Sequence, residues 1–392
     1  MRRLTIVFHH AGGGHRNAAE ALRSTLAGQS HPWDVELLDT QQLLDPIDLI
    51  RRASGVRIQD VYNLILRRGW TRFTPQLLKV LQTTIRLYHR PIVKALRAYW
   101  ATHPTNMVLS VIPHFNREIA ESVRTGLPGA PFVTLLTDLA DYPPRFWMEK
   151  ESEYIIAGTG RAKQQALAMG HPSDHVFEAS GMILKPKFYE TTTVDRAAER
   201  KRHGLDPDRL TAIVLFGGHG ARVMLDIAKK LDGSGVQLIQ ICGHNQKLAA
   251  KLSALKAREP KLVQGFTTNV EYYMALSDFL IGKPGPGSIS EALQFHLPVI
   301  VECNAKTLPQ ERYNAEWVAE KGYGIVVKSF REIGPAVKTL IANMDAFRNR
   351  TAKYSNRALF EVAEILEKCC ERSAGAGGNA ARLQPSPISL SH

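Results

Sequence analysis

Short apolar runs recur along the chain, and most are followed by a polar or glycine-rich turn and then by a stretch with apolar residues three and four apart. In the first half, Leu4–Phe8, Trp33–Leu38, Met107–Ile112, Phe132–Thr137, Tyr154–Ala157 and Val176–Ala179 read as strands. In the second half, Ala212–Phe216, Val236–Cys242, Lys261–Val263, Phe279–Ile281, Leu297–Val301 and Ile325–Val327 read the same way. Near-continuous apolar runs suit strands covered on both faces, and their alternation with amphipathic stretches predicts βαβ units in parallel sheets. Helices are expected over about Asn17–Ala27, from the end of Tyr154–Ala157 to about Met169, over about 221–231, near 245–258, over 270–276, from Ser288, and over 342–371. Residues 41–102 read as helical, broken near Gly69 and before Pro75 and Pro91.

A charged stretch, Val194–His203, separates the halves. The expected organisation is α/β: two doubly wound, Rossmann-like domains, 1–190 and 205–345, facing a cleft. A helix over 346–371 and a Gly/Ala/Ser/Pro-rich tail over 372–392, expected to be disordered, complete the chain.

Composition changes this picture in one place. A hydrophobic content of 44% and a charged content of 22% over 392 residues are ordinary for a globular chain with a sizeable core. No apolar run approaches the ~18 residues of a membrane span, and the apolar stretch in MRRLTIVFHH is too short for a signal peptide. Cys242, Cys303, Cys369 and Cys370 show no C-x-x-C spacing, so neither a zinc site nor a disulfide framework is expected, and the expected compartment is cytoplasmic. The net charge of +13 is unevenly placed: residues 51–100 hold nine Arg and two Lys against one acid, Asp60. Apolar and aromatic residues interleave with them at helical spacing. Arg67, Arg68, Trp70, Arg72, Arg86 and Trp100 are therefore candidates for contact with an anionic membrane surface, which makes the expected location peripheral. A solvated basic face over an ordinary core is the plainer reading. No nucleic-acid-binding signature accompanies the patch, so no nucleic-acid partner is expected.

The chemistry-bearing residues cluster in loops at the C-terminal ends of strands. The strand Phe279–Ile281 runs into Gly282-Lys283-Pro284-Gly285-Pro286-Gly287, and a helix opens at once with Ser288-Ile289-Ser290-Glu291. Glycines let backbone approach an anion, and the first N–H groups of a helix lack internal partners, so a nucleotide pyrophosphate is the natural ligand. Glu291 is placed to accept from sugar hydroxyls. The same Ser288-x-x-Glu291 is also a capping box that merely closes a helix end. Gly217-Gly218-His219-Gly220 repeats the strand-to-glycine design, as a phosphate contact or a simple tight turn. Backbone beside Phe266 suits a flat base, although an aromatic there also suits a core. Gln310, Glu311 and Asn314, at the start of a segment after Leu297–Val301, can reach sugar hydroxyls or form a polar helix start.

In the first half, His9-His10-Ala11-Gly12-Gly13-Gly14-His15-Arg16 places His15 just ahead of the predicted helix. A neutral imidazole there is a candidate general base, or a residue that shapes the loop. The three histidines lack carboxylate or cysteine partners at metal-ligand spacing, so no metal is expected. Asp138 ends the strand at Thr137-Asp138-Leu139 and either faces the cleft as an acceptor-activating carboxylate or caps a turn.

Taken together, GGGHRNAAEAL at 12–22, Thr137-Asp138-Leu139 with Trp147, ASGMILKPKF at 179–188, LFGGHGARV, QLIQICGHNQKL, and Gly265–Val301 followed by Pro309-Gln310-Glu311 and Asn314 resemble glycosyltransferase family 28. Within it the match is to monogalactosyldiacylglycerol synthases and processive diacylglycerol glucosyltransferases, over roughly residues 4–330. The resemblance implies the GT-B fold, a UDP-sugar donor on the C-terminal domain, a diacylglycerol-like acceptor on the N-terminal domain at a membrane surface, and inversion without an essential metal or other cofactor. By motif position it assigns His15, beside Gly14, to the reacting centre, and Gly285, Pro286, Gly287, Ser288 and Glu291 to the diphosphate and ribose. It assigns Gln310, Glu311 and Asn314 to the donor sugar. Two departures fall on the acceptor side: Ala140-Asp141-Tyr142-Pro143-Pro144 lacks the histidine that relatives often carry there, and His10 replaces a small polar residue. UDP-sugar 2-epimerases share the fold type, and a non-catalytic lipid- or nucleotide-binding protein is a third reading.

Overall fold

The computed structural model describes residues 2–10, 14–28, 33–45, 82–190 and 194–382. The first sheet contains β1 (Arg3–Phe8), β2 (Asp34–Asp39), β3 (Met107–Ser110), β4 (Phe132–Leu135), β5 (Tyr154–Ala157) and β6 (Val176–Glu178). Its order is β2-β1-β3-β4-β5-β6, parallel throughout. The second contains β7 (Thr211–Leu215), β8 (Gln237–Ile241), β9 (Lys261–Gln264), β10 (Phe279–Gly282), β11 (Val299–Glu302) and β12 (Gly324–Val327), in the order β12-β11-β10-β7-β8-β9, again parallel. Both sheets carry helices on their faces. The central strands β1, β3, β7 and β10 are buried almost throughout, as their apolar composition requires.

Several helices depart from the pattern-based expectation. The helix after β1 begins at Gly14 rather than Asn17, so His15 lies inside its first turn. Asn116–Gly126 was not anticipated: within NREIAESVRTG only Ile119, Ala120 and Val123 give an apolar stripe. The break expected before Pro91 falls at Tyr88, between a helical run that ends at Leu87 and the helix His89–Thr102, in which Pro91 is the third residue and its missing N–H costs no hydrogen bond. The stretch expected as one helix over 342–371 is two, Met344–Thr351 and Ala358–Arg382. The second continues past residue 371 into the region expected as tail; residues 383–392 lie outside the described residues. No helix among the described residues is long and apolar enough to cross a membrane.

The chain crosses between the sheets twice. The first crossing leads through Gly181 to the helix Arg196–Arg202. The second returns along Ala358–Arg382, whose Ala358, Leu359, Val362, Ala363, Leu366 and Cys369 join the core of the first sheet. Glu367 there accepts from Arg2, at 2.6 Å, and from the Trp33 indole. The crossings touch: Asn356 donates to the Met182 carbonyl at 2.9 Å, and a Cβ on Gly181 would lie 2.7 Å from the Tyr354 hydroxyl. One buried carboxylate secures both. Asp278, just ahead of β10, accepts from Arg196 (2.9 Å) and Arg200 (2.7 Å) of the first crossing, from Arg348 (2.7 Å) ahead of the second, and from the Thr211 N–H (2.9 Å).

Arg200 is 4% exposed, and Asp278 is the counter-ion of its buried guanidinium. Asp278→Asn is expected to lower unfolding stability by about 3–5 kcal/mol, the cost of leaving one buried partner uncompensated. Urea unfolding measures this, and an unchanged midpoint would contradict the clasp.

Candidate functional site at the facing switch points

In a parallel sheet, loops leave in opposite directions where the strand order reverses, and a crevice opens beyond the strand ends. The first sheet reverses between β1 and β3, the second between β7 and β10. The loops singled out in the sequence follow these strands.

On the first side, His15 is held from three directions. Its Nδ1 lies 2.8 Å from the Val111 carbonyl, just beyond β3, and 2.9 Å from Thr137 Oγ1. A carbonyl only accepts, so the proton sits on Nδ1 and Nε2 carries the lone pair. The ring stacks on His9 at 4.5 Å and lies 5.7 Å from the Trp147 ring. Burial pulls the His15 pKa down to about 4, against the opposing effect of the Val111 bond, so the ring is neutral near pH 7. Burial also lowers His114, to about 4, and His9, with His15 adding to both shifts. Stacked rings do not converge their nitrogens, and among the described residues no group of three or more His, Cys, Asp or Glu side chains is arranged to hold a metal ion.

Asp138 lies beyond β4, with Oδ2 accepting from the Trp147 indole at 2.9 Å. The indole is aimed by Asp141, which the sequence reading passed over. Its carboxylate accepts from the N–H groups of Arg145 (2.9 Å), Phe146 (2.9 Å) and Trp147 (2.7 Å), folding the proline-rich loop back on itself. An Asp a few residues ahead of successive backbone donors is the signal that marks such a turn.

On the second side, backbone packs on backbone. Gly217 and Gly220 have φ of 75° and 56°, and a Cβ on Gly243, after β8, would lie 2.1 Å from the Gly218 carbonyl oxygen. The helix after β10 runs Pro286–Gln294 with Gly285 as its N-cap and no side-chain cap. Ser288 is thus its third residue, and the capping box does not form. The Gly285 N–H closes on the Lys283 carbonyl, and that of Ile289 on the Gly285 carbonyl. Pro286 has no N–H, so Gly287 and Ser288 supply the first-turn donors without intrahelical acceptors. Ser290 is fully buried in the helix core face. Burial raises the Glu291 carboxyl to about 7, with Lys185 opposing and Glu271 reinforcing the shift. Phe266 is 56% exposed and stacks on His244 at 4.1 Å, which removes the core alternative and leaves a flat ledge.

The helix Pro309–Lys321 brings Gln310 and Glu311 to the same end of the second sheet. Lys283 donates to Glu311 at 2.5 Å. Across the crevice, burial raises Asp138 to about 7; the Trp147 bond and Lys283 oppose the shift, while Glu311 and Asp141 add to it. The carboxylate of the first side therefore lies in the field of the ion pair on the second.

Two sequence expectations are corrected, and one of the two readings of Asp138 is removed. Asn314 is fully buried and donates to the Pro284 carbonyl at 2.8 Å, so it positions the glycine loop rather than reaching a sugar hydroxyl. Trp100 is 1% exposed with its indole bonded to Ser122 at 2.9 Å; it is core, not a membrane contact, because it lies on the apolar stripe of its helix with Ile92, Val93 and Leu96. Asp138 meets an indole rather than capping a turn. Arg86 is exposed, beside a small cavity lined by Ile85, His114 and Arg117. Arg67, Arg68, Trp70 and Arg72 lie outside the described residues.

Residues 212–368 match the model of the glycosyltransferase family 28 C-terminal domain. Monogalactosyldiacylglycerol synthase 1, chloroplastic, of Arabidopsis thaliana is 26% identical over 94% of this chain and 72% of its own length. Probable monogalactosyldiacylglycerol synthase 2, chloroplastic, of Oryza sativa subsp. japonica is 28% identical over 95% of this chain and 82% of its own. In three dimensions the chain is similar to MurG of Acinetobacter baumannii, with a TM-score of 0.60 at 13% identity over 94% of this chain and all of the other. It is equally similar to UDP-GlcNAc 2-epimerase of Neisseria meningitidis bound to UDP-GlcNAc, with a TM-score of 0.60 at 15% identity over 93% of this chain and all of the other. These structural likenesses establish the fold: two Rossmann-like domains in the GT-B arrangement.

The Asp138 environment has a signed consequence for stability. A carboxyl raised from 3.8 to about 7 costs nothing below its unfolded pKa, and the cost grows as pH rises to the folded value. Asp138→Asn keeps an acceptor for the indole and is expected to stabilise the protein by roughly 2–4 kcal/mol at pH 8, converging with wild type near pH 4. Equal urea stabilities at pH 8 would contradict the burial argument.

Proposed function

We propose that this chain, whose residues 212–368 match the model of the glycosyltransferase family 28 C-terminal domain, transfers a hexosyl group from a UDP-sugar to the hydroxyl of a lipid acceptor, most simply diacylglycerol, with inversion at the anomeric carbon. The observation that carries this reading is the Lys283–Glu311 pair beside the two glycine loops of the second sheet, whose charges also act on Asp138 of the first. A proton acceptor tuned near neutrality thereby faces a cationic, glycine-lined anion cradle. The names of the relatives support a lipid acceptor and a galactolipid-type product.

In this mechanism the acceptor oxygen bonds to the anomeric carbon as the bond from that carbon to the β-phosphate oxygen breaks. The hydroxyl proton passes to Asp138, and the bonding electrons leave with UDP. The Gly287 and Ser288 N–H groups, the helix dipole and Lys283 stabilise the charge growing on the diphosphate. Glu291 accepts from the ribose, and the Phe266–His244 ledge seats the uracil. The cradle supplies its own counter-charge, so the reaction needs no added metal. His15, neutral with its proton on Nδ1, offers Nε2 to a hydroxyl beside the reacting centre. Asp138 is the better base because its pKa is matched to neutral pH.

The membrane side of the reading rests on the basic segment. In the helix His89–Thr102, Arg90, Lys94 and Arg97 are exposed while Ile92, Val93 and Leu96 face the core. Such a cationic face suits anionic lipid, and binding through it weakens as salt rises.

The deciding experiment incubates the protein with radiolabelled UDP-galactose, UDP-glucose or UDP-N-acetylglucosamine and diacylglycerol-containing vesicles, then extracts the lipid. Label in the lipid, undiminished by chelator, is expected. Donor turnover without acceptor would indicate an epimerase instead, and nucleotide binding without turnover a non-catalytic protein.

Two further outcomes are expected. The acid limb of kcat against pH falls with a midpoint near 7, and Asp138→Asn lowers kcat by about 100-fold or more; a limb near 4 would instead assign the proton transfer to His15. UDP-sugar affinity weakens below about pH 7 as Glu291 is protonated, and Glu291→Gln removes that dependence. An unchanged pH profile in isothermal titration of the Glu291→Gln variant would overturn the ribose assignment.

A further inference from the structure

The Lys283 side chain lies over the space between two glycine loops. Its Cε would be 3.9 Å from a Cβ on Gly217, beyond β7, and 3.4 Å from one on Gly285, beyond β10. That gap is the switch point of the second sheet, beside the Gly287 and Ser288 donors. Its ammonium is nevertheless turned to Glu311 Oε1, at 2.5 Å, and the same oxygen would lie 3.8 Å from a Cβ on Gly285. The Lys283 side chain is 42% exposed and that of Glu311 10%, so the pair forms one wall of the crevice, with the lysine on its open side.

Resting on the donor reading above, we propose that Lys283 exchanges partners during the reaction: it neutralises Glu311 in the empty site and moves to the diphosphate when the donor arrives, releasing Glu311 to accept from the sugar hydroxyls. The two partners differ in charge. Glu311 offers one negative charge, a nucleotide-sugar diphosphate two, and free UDP a third as its terminal phosphate ionises. A flexible four-carbon stem with three donors lets the amine follow the larger charge. The pair would thus keep Glu311 from standing as a bare, nearly buried carboxylate before donor binds. Lys283 is a positioning residue for Glu311 and a ligand of the leaving group in turn.

Exchange makes an unusual demand on binding. If Glu311 competes with the diphosphate for Lys283, removing the carboxylate must strengthen binding of UDP, which carries no sugar for Glu311 to hold. Isothermal titration of the full chain with uridine, UMP and UDP is the test, with thermal melting to confirm that each variant is folded. Glu311→Gln is expected to bind UDP about tenfold more tightly than wild type, the size expected for freeing one charged hydrogen bond, with uridine unchanged. Lys283→Met is expected to lose about tenfold for UDP and nothing for uridine, and to abolish the gain when combined with Glu311→Gln. Lys283→Arg, which keeps the charge, should restore most of the UDP affinity. Unchanged or weaker UDP binding by a folded Glu311→Gln protein would overturn the exchange while leaving the donor reading intact. Wild type binding neither uridine nor UDP would overturn the donor reading and the exchange with it.

Discussion

A carboxylate held out of water needs either a proton or a cation nearby, and Asp138 is poised between the two. Its own surroundings, the Trp147 indole and the loop drawn in by Asp141, belong to the first sheet. Burial is the main cause of its raised pKa, and Glu311 and Lys283, which add to and oppose that shift, belong to the second. The glycines matter because backbone lies close at the ends of β7, β8 and β10, which leaves Lys283 between the two glycine loops. The proposed exchange of Lys283 from Glu311 to diphosphate would make donor occupancy change the field at the base.

The same geometry depends on how the two sheets are joined. Both crossings are tied to Asp278 through Arg196, Arg200 and Arg348, and they touch at Gly181 and Asn356. The C-terminal helix then packs its apolar face on the first sheet. These contacts join the sheet that contributes Asp138 to the one that contributes Lys283. The proposed site draws on both sheets, because neither sheet alone contains both Asp138 and Lys283.

The strand pattern was legible because near-continuous apolar runs have few alternatives in a chain of this length. All twelve strands among the described residues overlap runs read from the sequence, and the parallel sheets follow from the intervening amphipathic stretches. The loops rich in glycine announced themselves for the same reason: positive φ at Gly217 and Gly220, and the close approach at Gly243, leave glycine without substitutes. Less legible were features decided by tertiary packing. Helix starts shifted at Gly14 and Pro286, where local residues tolerate either assignment. Asn116–Gly126 has too narrow an apolar stripe to stand out. Trp100 read as interfacial because composition cannot say which face of a basic helix turns inward, and Asn314 read as a ligand because a buried amide bonded to backbone looks the same in sequence. Asp141 was overlooked because its partners are main-chain N–H groups, which every sequence contains.

The most direct measurement is a 13C NMR titration of the Asp138 carboxyl in the free protein, assigned through Asp138→Asn. The account predicts a midpoint near 7 that rises in Lys283→Met, which removes the opposing cation, and falls in Glu311→Gln, which removes the reinforcing anion. A midpoint in the ordinary carboxylate range near 4, indifferent to both substitutions, would contradict it.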